Sequence, residues 1–322
     1  MGSRAHPAQV LVAAALLLSS TACAEEARPR AASSPAALEG AIAFVEAGEP
    51  DWRVSVIDLT TKRRSVVTRD GVSETSPALS PDGDVLAIAR QMPAAGSPLG
   101  ANLDLFVDGP GGRDHLTDLV AVEGEPAWSP DGSKIAFSRS VGSSGFRTEI
   151  FVIGSDGSGV RRITTTPKPW SSGAPAWSPD GTEIVFSSDR RGNLDLFVVA
   201  ADGGEVRSLV TGPLADTDPA WSPDGSTIAF TRSPSRPDTQ ALFVVDARGG
   251  PATRLTAEDR VASDPCWSPD GSMLAFSGNP SRNPPGDLYV MEPRPMSPWT
   301  LVATAEEPIW EPSWGVGFSG LR

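Results

Sequence analysis

The tetrapeptide Ser-Pro-Asp-Gly occurs five times at nearly constant spacing, and no other feature constrains the fold of this chain as strongly. The fuller repeated unit reads Pro-Ala-Trp-Ser-Pro-Asp-Gly. Its opening prolines are separated by 49, 49, 44 and 46 residues. A period of this size indicates an array of similar supersecondary units. The five copies begin at Ser80, Ser129, Ser178, Ser222 and Ser268.

One repeat can be read as four strands. Residues 175–178 form a short strand, and Pro179-Asp180-Gly181 has the composition of a tight turn. Residues 183–187, in which polar residues flank Ile184-Val185-Phe186, are read as a half-buried strand, and 194–200 and 206–210 supply two more strands. Each repeat therefore predicts a four-stranded antiparallel meander, and such units at this period are the blades of a β-propeller.

The two ends of the repeat array complement each other. Residues 42–68 contain strands two, three and four of a blade without strand one, whereas 311–314 repeat strand one alone. We therefore expect an all-β, six-bladed β-propeller over residues 40–316, closed by a C-terminal strand that joins the first blade, with a short tail at 317–322. The repeated tryptophan, present in five of the six blades, is interpreted as inter-blade packing.

The N-terminal segment carries export signals. Residues 10–18 are apolar but too short to span a bilayer, and Ser20-Thr21-Ala22-Cys23 resembles the lipobox of bacterial lipoproteins. We expect a lipoprotein signal peptide at 1–22, lipidation of Cys23 and a flexible tether at 23–39; an ordinary signal peptide is the alternative. The protein would then be exported and lipid-anchored to a bacterial membrane on the extracytoplasmic side. Cys266, the other cysteine, would have no disulfide partner.

The blades resemble the TolB-like repeat, also called the PD40 or WD40-like propeller repeat. The resemblance is carried by 175–181, 184–190 and 195–199, and it extends over about residues 40–316. It implies a β-propeller. The α/β domain that precedes the propeller in TolB is not expected, because only the tether precedes the first blade.

Composition and motifs argue against several functions. The net charge is −13 and no basic run occurs, so we expect no nucleic-acid partner. The repeats also look like the propellers of prolyl-oligopeptidase-type peptidases, but the chain has no Gly-x-Ser-x-Gly elbow. After signal cleavage His115 is the one remaining histidine, which does not suit a catalytic triad or a multi-histidine metal site. We therefore predict a monomeric, non-enzymatic protein without a required cofactor.

Acidic residues recur at one position of the repeat. The residues that precede the six strand-one prolines are predicted to lie near one mouth of the central channel, and four of them are acidic. Like charges held close together repel, so a cation would relieve them. The arc is predicted to bind Ca²⁺ or a cationic peptide end, with Ca²⁺ held by Asp218, Asp264 and Glu311. Alternatively, the carboxylates cap backbone N–H groups or pair with Arg139, Arg190, Arg191, Arg232 and Arg282. The six positions are Ser76, Glu125, Ala174, Asp218, Asp264 and Glu311, and Asp216, Glu306 and Glu307 belong to the same loops.

Aromatic residues outside the repeat positions are assigned to the same face: Trp52, Phe146, Trp170 and Trp310. Exposed aromatic side chains often anchor protein interfaces, although packing within their own loops is the alternative. The sequence thus favours a protein- or peptide-binding or scaffolding module of the bacterial envelope. The alternative function is a metal-dependent propeller hydrolase or lactonase with a carboxylate site at the channel mouth.

Overall fold

Six four-stranded antiparallel sheets form a closed ring in the computed structural model, which describes residues 38–47, 51–68, 71–93, 102–142, 147–233, 240–280, 286–304 and 308–318. We number the blades along the chain and list each from the channel outward. Blade 1 holds β24 (Ile309–Gly315), β1 (Ala41–Glu46), β2 (Arg53–Asp58) and β3 (Arg64–Val66); blade 2 holds β4 (Glu74–Leu79), β5 (Leu86–Met92), β6 (Asn102–Gly109) and β7 (Gly112–His115); blade 3 holds β8 (Glu123–Trp128), β9 (Lys134–Val141), β10 (Arg147–Gly154) and β11 (Arg161–Arg162). Blade 4 holds β12 (Ser172–Trp177), β13 (Glu183–Ser188), β14 (Asp195–Ala200) and β15 (Val206–Val210); blade 5 holds β16 (Ala215–Trp221), β17 (Thr227–Ser233), β18 (Ala241–Asp246) and β19 (Thr253–Arg254); blade 6 holds β20 (Val261–Trp267), β21 (Leu274–Asn279), β22 (Asp287–Met291) and β23 (Thr300–Ala303).

The ring closes as predicted. β24 pairs antiparallel with β1, with Ile42 opposite Trp314, and this pairing completes blade 1. The closing strand also lies beside β20 of blade 6 and β4 of blade 2. The six-bladed propeller and its closure by the C-terminal strand are therefore confirmed. Among the described residues, no helix is long and apolar enough to cross a membrane.

The core lies between adjacent blades. One cluster joins Ile150 and Val152 of blade 3 to Ile184, Phe186 and Phe197 of blade 4, and similar clusters link the other blades. Five of the six second strands contribute a fully buried phenylalanine, and blade 2 has Ile88 in its place. Alternation along the strands supplies apolar side chains to both faces, which is why each blade can pack against two neighbours. The phenylalanines are Phe44, Phe137, Phe186, Phe230 and Phe276.

The repeated tryptophans connect neighbouring blades by hydrogen bonds as well as by packing. Three donate their indole N–H to a backbone carbonyl of the preceding blade, and Trp314 donates to Glu39 just before β1. Trp221 departs from this pattern, because its buried N–H has no hydrogen-bond partner among the residues that the structure describes. Inter-blade packing is thus confirmed as their role. The bonds run from Trp128 to Ala78 O (2.9 Å), from Trp177 to Ala127 O (3.1 Å), from Trp267 to Ala220 O (3.0 Å) and from Trp314 to Glu39 O (3.0 Å).

Each Ser-Pro-Asp-Gly segment is a self-contained turn. In blade 4 the Asp180 carboxylate accepts hydrogen bonds from the Ser178 hydroxyl (2.6 Å) and the Thr182 amide (3.0 Å). Gly181 has a φ of 71°, which favours glycine, and its amide donates to Ser178 O at 2.9 Å. Hydrogen bonds to the ionised form, first of all from Ser178, lower the pKa of Asp180. The aspartates of the repeat therefore serve the turns.

The chain continues past the closing strand onto blade 2. Phe318 packs against the cluster that contains Leu79, Leu86 and Phe106. Gly83, in the Ser-Pro-Asp-Gly turn of blade 2, lies so close to the Gly317 carbonyl that an added Cβ would overlap it. The first two residues of the predicted tail thus contact the blade next to the closure.

Candidate functional site at the channel mouth

A β-bulge interrupts every inner strand at the same position. The bulged residues are the six that precede the strand-one prolines, and all have left-handed backbone conformations with φ between 48° and 54°. Only Lys62 and Met296 share a positive φ among the other described non-glycine residues. Such conformations cost free energy and often mark functional positions. Because each inner strand begins two or three residues before this position, the six residues lie within the strands, and their predicted place in the entry loops was wrong.

Several bulge side chains reach the backbone of the next blade. The Glu125 carboxylate of blade 3 accepts the Ala174 amide of blade 4 at 2.7 Å. Glu311 of blade 1 accepts the Ser76 amide of blade 2 at the same distance. The Asp264 carboxylate of blade 6 accepts the backbone N–H of Glu311. Backbone capping, which the sequence left open as the alternative, is therefore one role of these carboxylates, and it links blades across the closure.

Burial and mutual repulsion disfavour the ionised form of these acids. Burial, followed by the charge of Asp264, raises the pKa of Asp218 to about 7. Burial likewise raises the pKa of Asp264 to about 6, and the charge of Glu311 adds to this increase. The pKa of Glu311 is also raised by burial and by the charge of Glu125. The side chains keep some surface open to the channel, but protein surrounds them on most sides and excludes much of the bulk water.

Of the arginines considered from the sequence, those that the structure describes form no ion pair with the four acids of the arc. Arg139 pairs with Glu123 (2.5 Å) and Arg232 pairs with Asp216 (2.6 Å). The two acids, Glu123 and Asp216, lie on inner strands, each two residues before the bulge of its strand. The arginine pairing that the sequence left open is therefore found for Arg232 with Asp216, but neither arginine pairs with Glu125, Asp218, Asp264 or Glu311. Within the described ranges, none of Glu125, Asp218, Asp264 and Glu311 forms an ion pair. Arg191 is exposed, and its charge acts on Asp195; Arg282, Glu306 and Glu307 lie outside the described residues.

A small cavity brings two of the acids together. It has a volume of about 270 Å³ and lies between blades 3, 4 and 5, with Glu125, Ala174 and Asp218 in its lining. Cavities of about 330 and 560 Å³ lie between the Ser-Pro-Asp-Gly turns of blades 4 to 6. In the part of the chain that the structure describes, no three His, Cys, Asp or Glu side chains are grouped closely enough to hold a metal ion. Ca²⁺ binding by Asp218, Asp264 and Glu311 therefore stays a prediction without a preformed cluster.

Two of the predicted aromatic residues meet. Trp52, half of whose surface is exposed, lies 6.3 Å from Trp310 between ring centroids, and Trp310 directly precedes Glu311. Trp170 lies in the segment between β11 and β12 and makes no described ring contact with this pair. Phe146 lies outside the described residues. Trp52 and Trp310 thus form an aromatic pair beside the acidic arc.

His115 and Cys266 pack against neighbouring side chains. His115 Nε2 lies 2.8 Å from Asp104 Oδ2, and the ring stacks on Phe106 with a centroid distance of 4.3 Å. Burial raises the pKa of the Cys266 thiol to about 12, which suits a packed and unreactive cysteine.

Comparison with known proteins places the fold. Residues 165–283 match the family model of the TolB β-propeller domain, PD40. TolB from Acinetobacter baumannii superposes with a TM-score of 0.70 at 23% identity, over 86% of this chain and 67% of that chain. A putative TolB from Agrobacterium tumefaciens gives 0.62 at 21% identity, over 85% and 95% of the two chains.

Other similar structures include enzymes. Oligogalacturonate lyase from Vibrio parahaemolyticus has a TM-score of 0.54 at 17% identity and covers 78% of this chain and 74% of its own. A search of curated protein sequences found no match. At these identities structural similarity shows the fold alone. The resemblance to the TolB-like repeat is confirmed: residues 165–283 match the TolB β-propeller domain, within a ring of six four-stranded blades.

Proposed function

We propose that this propeller is a peptide- or protein-binding module whose channel mouth receives a cationic group of the partner. The observation that carries the proposal is the unpaired acidic arc. Four carboxylates occupy equivalent bulges of four blades, and none has an ion pair within the described ranges. Three of them, Asp218, Asp264 and Glu311, are half-buried, and backbone hydrogen bonds leave their negative charges without a described cation.

Charge compensation by a ligand would be favourable here. An amine or guanidinium near Asp218 and Asp264 would stabilise their ionised forms and lower their pKa values, which stand at about 7 and 6. Binding a cation should therefore release protons near neutral pH. Ca²⁺ at Asp218, Asp264 and Glu311 would act in the same way, so it is the competing ligand in the test below.

The aromatic pair gives this face a second means of binding. Trp52 is 51% exposed, and Trp310 is adjacent in sequence to Glu311. An apolar side chain of a partner could cover Trp52 while a neighbouring basic group meets the arc, which is the usual combination of aromatic anchor and polar surround in interfaces. Trp170 belongs to the same proposed surface.

The proposed location is extracytoplasmic. The signal-like N-terminus and the lipobox at Cys23 support export and lipid anchoring, and the similarity to TolB propellers agrees with an envelope role. Intact-mass analysis of membrane-extracted protein tests the anchor, since lipidation of Cys23 requires loss of residues 1–22 and a diacyl addition. A full-length mass or an unmodified Cys23 contradicts it.

The ligand is tested by calorimetry with two probes at neutral pH: a lysine-containing tripeptide with blocked ends, and CaCl₂. We expect saturable binding of the peptide, proton release that scales with buffer ionisation, and loss of both in Asp218→Asn/Asp264→Asn. The matched control is Asp180→Asn/Asp224→Asn, which changes the same number of charges in the turns. Equal binding by the two double variants would contradict the proposal, and a response to CaCl₂ alone would make the site a metal site.

The same variants can be used to test binding of the partner in membranes. Crosslinking in membranes should recover a protein whose yield falls with Trp310→Ala and with the arc variant but not with the turn control. For the enzymatic alternative, elemental analysis of purified protein is decisive, because a stoichiometric metal would favour the hydrolase and metal-free protein would argue against it.

A further inference from the structure

A cluster of three arginines around one carboxylate lies at the junction of blades 3 and 4. Arg147 and Arg162 both donate to Glu149 Oε1, at 2.5 and 2.7 Å, and the Glu149 side chain is fully buried. The Thr166 hydroxyl joins the third arginine to this group, since it lies 3.0 Å from Glu149 Oε2 and 3.3 Å from Arg190 Nη2. We call Arg147, Arg162, Arg190 and Glu149 the Glu149 cluster. Its positive charge exceeds its negative charge, in a protein whose net charge is −13.

The repeat explains where the missing negative charge belongs. In blades 2, 3 and 5 the residue two positions before the bulge is a buried acid, and its register partner on the second strand is an arginine. Blade 4 has Ser172 at this position and Ser188 opposite it, whereas blades 1 and 6 have the apolar residues Ile309 and Ala262 there. The acid–arginine partners elsewhere are Glu74 with Arg90, Glu123 with Arg139 and Asp216 with Arg232.

Arg190 takes the place of the arginine of the acid–arginine pair in blade 4, but the acid of the pair is replaced by Ser172. It comes from the loop after β13 and lies over the rings of Phe186 and Phe197, at 5.2 and 4.7 Å, as Arg139 and Arg232 lie over the phenylalanines of their own blades. Its Nη2 lies 3.2 Å from the Ser172 hydroxyl, at the position where blades 2, 3 and 5 carry a carboxylate. Among the described residues no carboxylate pairs with it, and burial lowers its pKa.

The cluster still has donors to offer. Arg190 bonds through Nε and Nη2, Arg147 through Nη1, and Arg162 through Nε and Nη2, so one terminal nitrogen of each guanidinium has no described hydrogen bond. The side chains of Arg147 and Arg162 are 14% and 35% exposed, and Arg190 is half-buried. The nearby Asp189 accepts the Ser171 amide at 2.6 Å and pairs with none of them. Planar guanidinium groups with spare donors bind carboxylates in a two-pronged geometry.

We infer that the Glu149 cluster is a second binding site, which accepts a carboxylate from an acidic side chain of the peptide or protein partner. The inference rests on the proposed function, because it concerns the same partner. It adds a requirement for the partner: besides the basic group that binds to the arc, the partner carries an acidic side chain that binds between blades 3 and 4. The carboxylate of the ligand takes the place that the repeat leaves empty at Ser172.

The test uses an end-blocked tetraglutamate peptide, with tetraglutamine as the uncharged control, and follows the arginine Nε–Hε resonances of the protein by NMR. We expect saturable shifts at Arg147 and Arg190 with the glutamate peptide alone, and at least about tenfold weaker binding for Arg190→Gln and Arg147→Gln. Arg161→Gln is the matched control, because Arg161 is adjacent to Arg162 but pairs with Asp202. No saturation at millimolar peptide, or equal affinity in Arg161→Gln and Arg190→Gln, would overturn the inference.

A second variant tests the site without removing an arginine. Ser172→Asp supplies the missing carboxylate within the chain, as Asp216 does for Arg232, whereas Ser172→Asn has the same shape without the charge. Ser172→Asp should raise the melting temperature relative to Ser172→Asn and abolish the response to tetraglutamate. Binding retained in a folded Ser172→Asp protein would refute the assignment. Inorganic phosphate serves as a further arm, and stronger binding of phosphate than of tetraglutamate would contradict the carboxylate assignment.

The two proposals fail separately. Loss of the tetraglutamate response with an intact lysine-peptide response would remove the second site and leave the arc. Loss of the lysine-peptide response with an intact tetraglutamate response would remove the arc as the binding site instead.

Discussion

Neutralising Asp218 should stabilise the protein at alkaline pH. Its pKa of about 7 lies roughly three units above the ordinary 3.8, and each unit corresponds to about 1.4 kcal/mol. Ionising this carboxyl in the native state therefore costs on the order of 4 kcal/mol, an upper limit because Asp264 titrates with it. Asn is a suitable replacement, since it tolerates the left-handed conformation at φ 51° and can accept the Thr217 hydroxyl.

The direction in which the stability changes with pH follows from the number of protons bound by the native and the unfolded protein. Between pH 4 and 7 the native carboxyl keeps its proton while the unfolded chain has lost it, so the free energy of unfolding of the wild type falls as the pH rises. The advantage of Asp218→Asn over the wild type should therefore be absent near pH 4, grow up to pH 7 and remain constant above. Reversible urea unfolding at several pH values measures it.

A control of opposite sign is available in the same chain. The pKa of Asp180 is lowered by its hydrogen bonds within the turn, chiefly from Ser178, so its ionised form stabilises the native state. Asp180→Asn should be less stable than the wild type at neutral pH, and this difference should vanish in acid. If Asp218→Asn shows no pH-dependent gain, or loses stability in the manner of Asp180→Asn, the description of the acidic arc as repulsive is refuted.

Three further predictions concern the ring itself. Gly83→Ala and Gly132→Ala impose the same left-handed strain, but only the former meets the Gly317 carbonyl, so it should have the lower melting temperature; equal values would refute docking of the C-terminal segment. Trp177→Phe should lose about 1 kcal/mol more than Trp221→Phe in urea unfolding, since only Trp177 donates an indole hydrogen bond, and equal losses would contradict this. Cys266 is partly buried and the pKa of its thiol is raised to about 12, so it should be alkylated more slowly at pH 8 in the folded protein than after unfolding, as residue-specific mass spectrometry would reveal; equal rates would contradict this.

The blades could be predicted because their signals are local. Turn residues such as Pro179 and Gly181, and the apolar run Ile184-Val185-Phe186, act within one repeat and fix strand order and phase. The same phase identified residues such as Asp218 and Glu311 as equivalent. Their left-handed bulge was not foreseen, because the sequence shows a residue before a proline and gives no sign of the extra residue in the strand pairing.

The side-chain partners depend on contacts that the repeat does not specify. Arg139 and Arg232 pair with acids two residues before the arc, because the strands begin earlier than the prolines suggest. The Glu149 cluster was also missed. A comparison of repeats could have shown that Ser172 stands where blades 2, 3 and 5 carry an acid, but the contribution of Arg190 from a loop follows only from the folded geometry.

The pairing of β24 with β1 also dictates the order of events in folding. β1 is the first strand of the propeller to leave the ribosome or a translocation pore, yet its inner neighbour is the last. Until residues 309–315 arrive, one edge of β1 has no strand beside it, and exposed edges of this kind invite pairing with other chains. Blades 2 to 6 can each form from contiguous sequence, whereas blade 1 must wait for the whole array. The unpaired edge of β1 is therefore open to incorrect pairing until residues 309–315 have been synthesised.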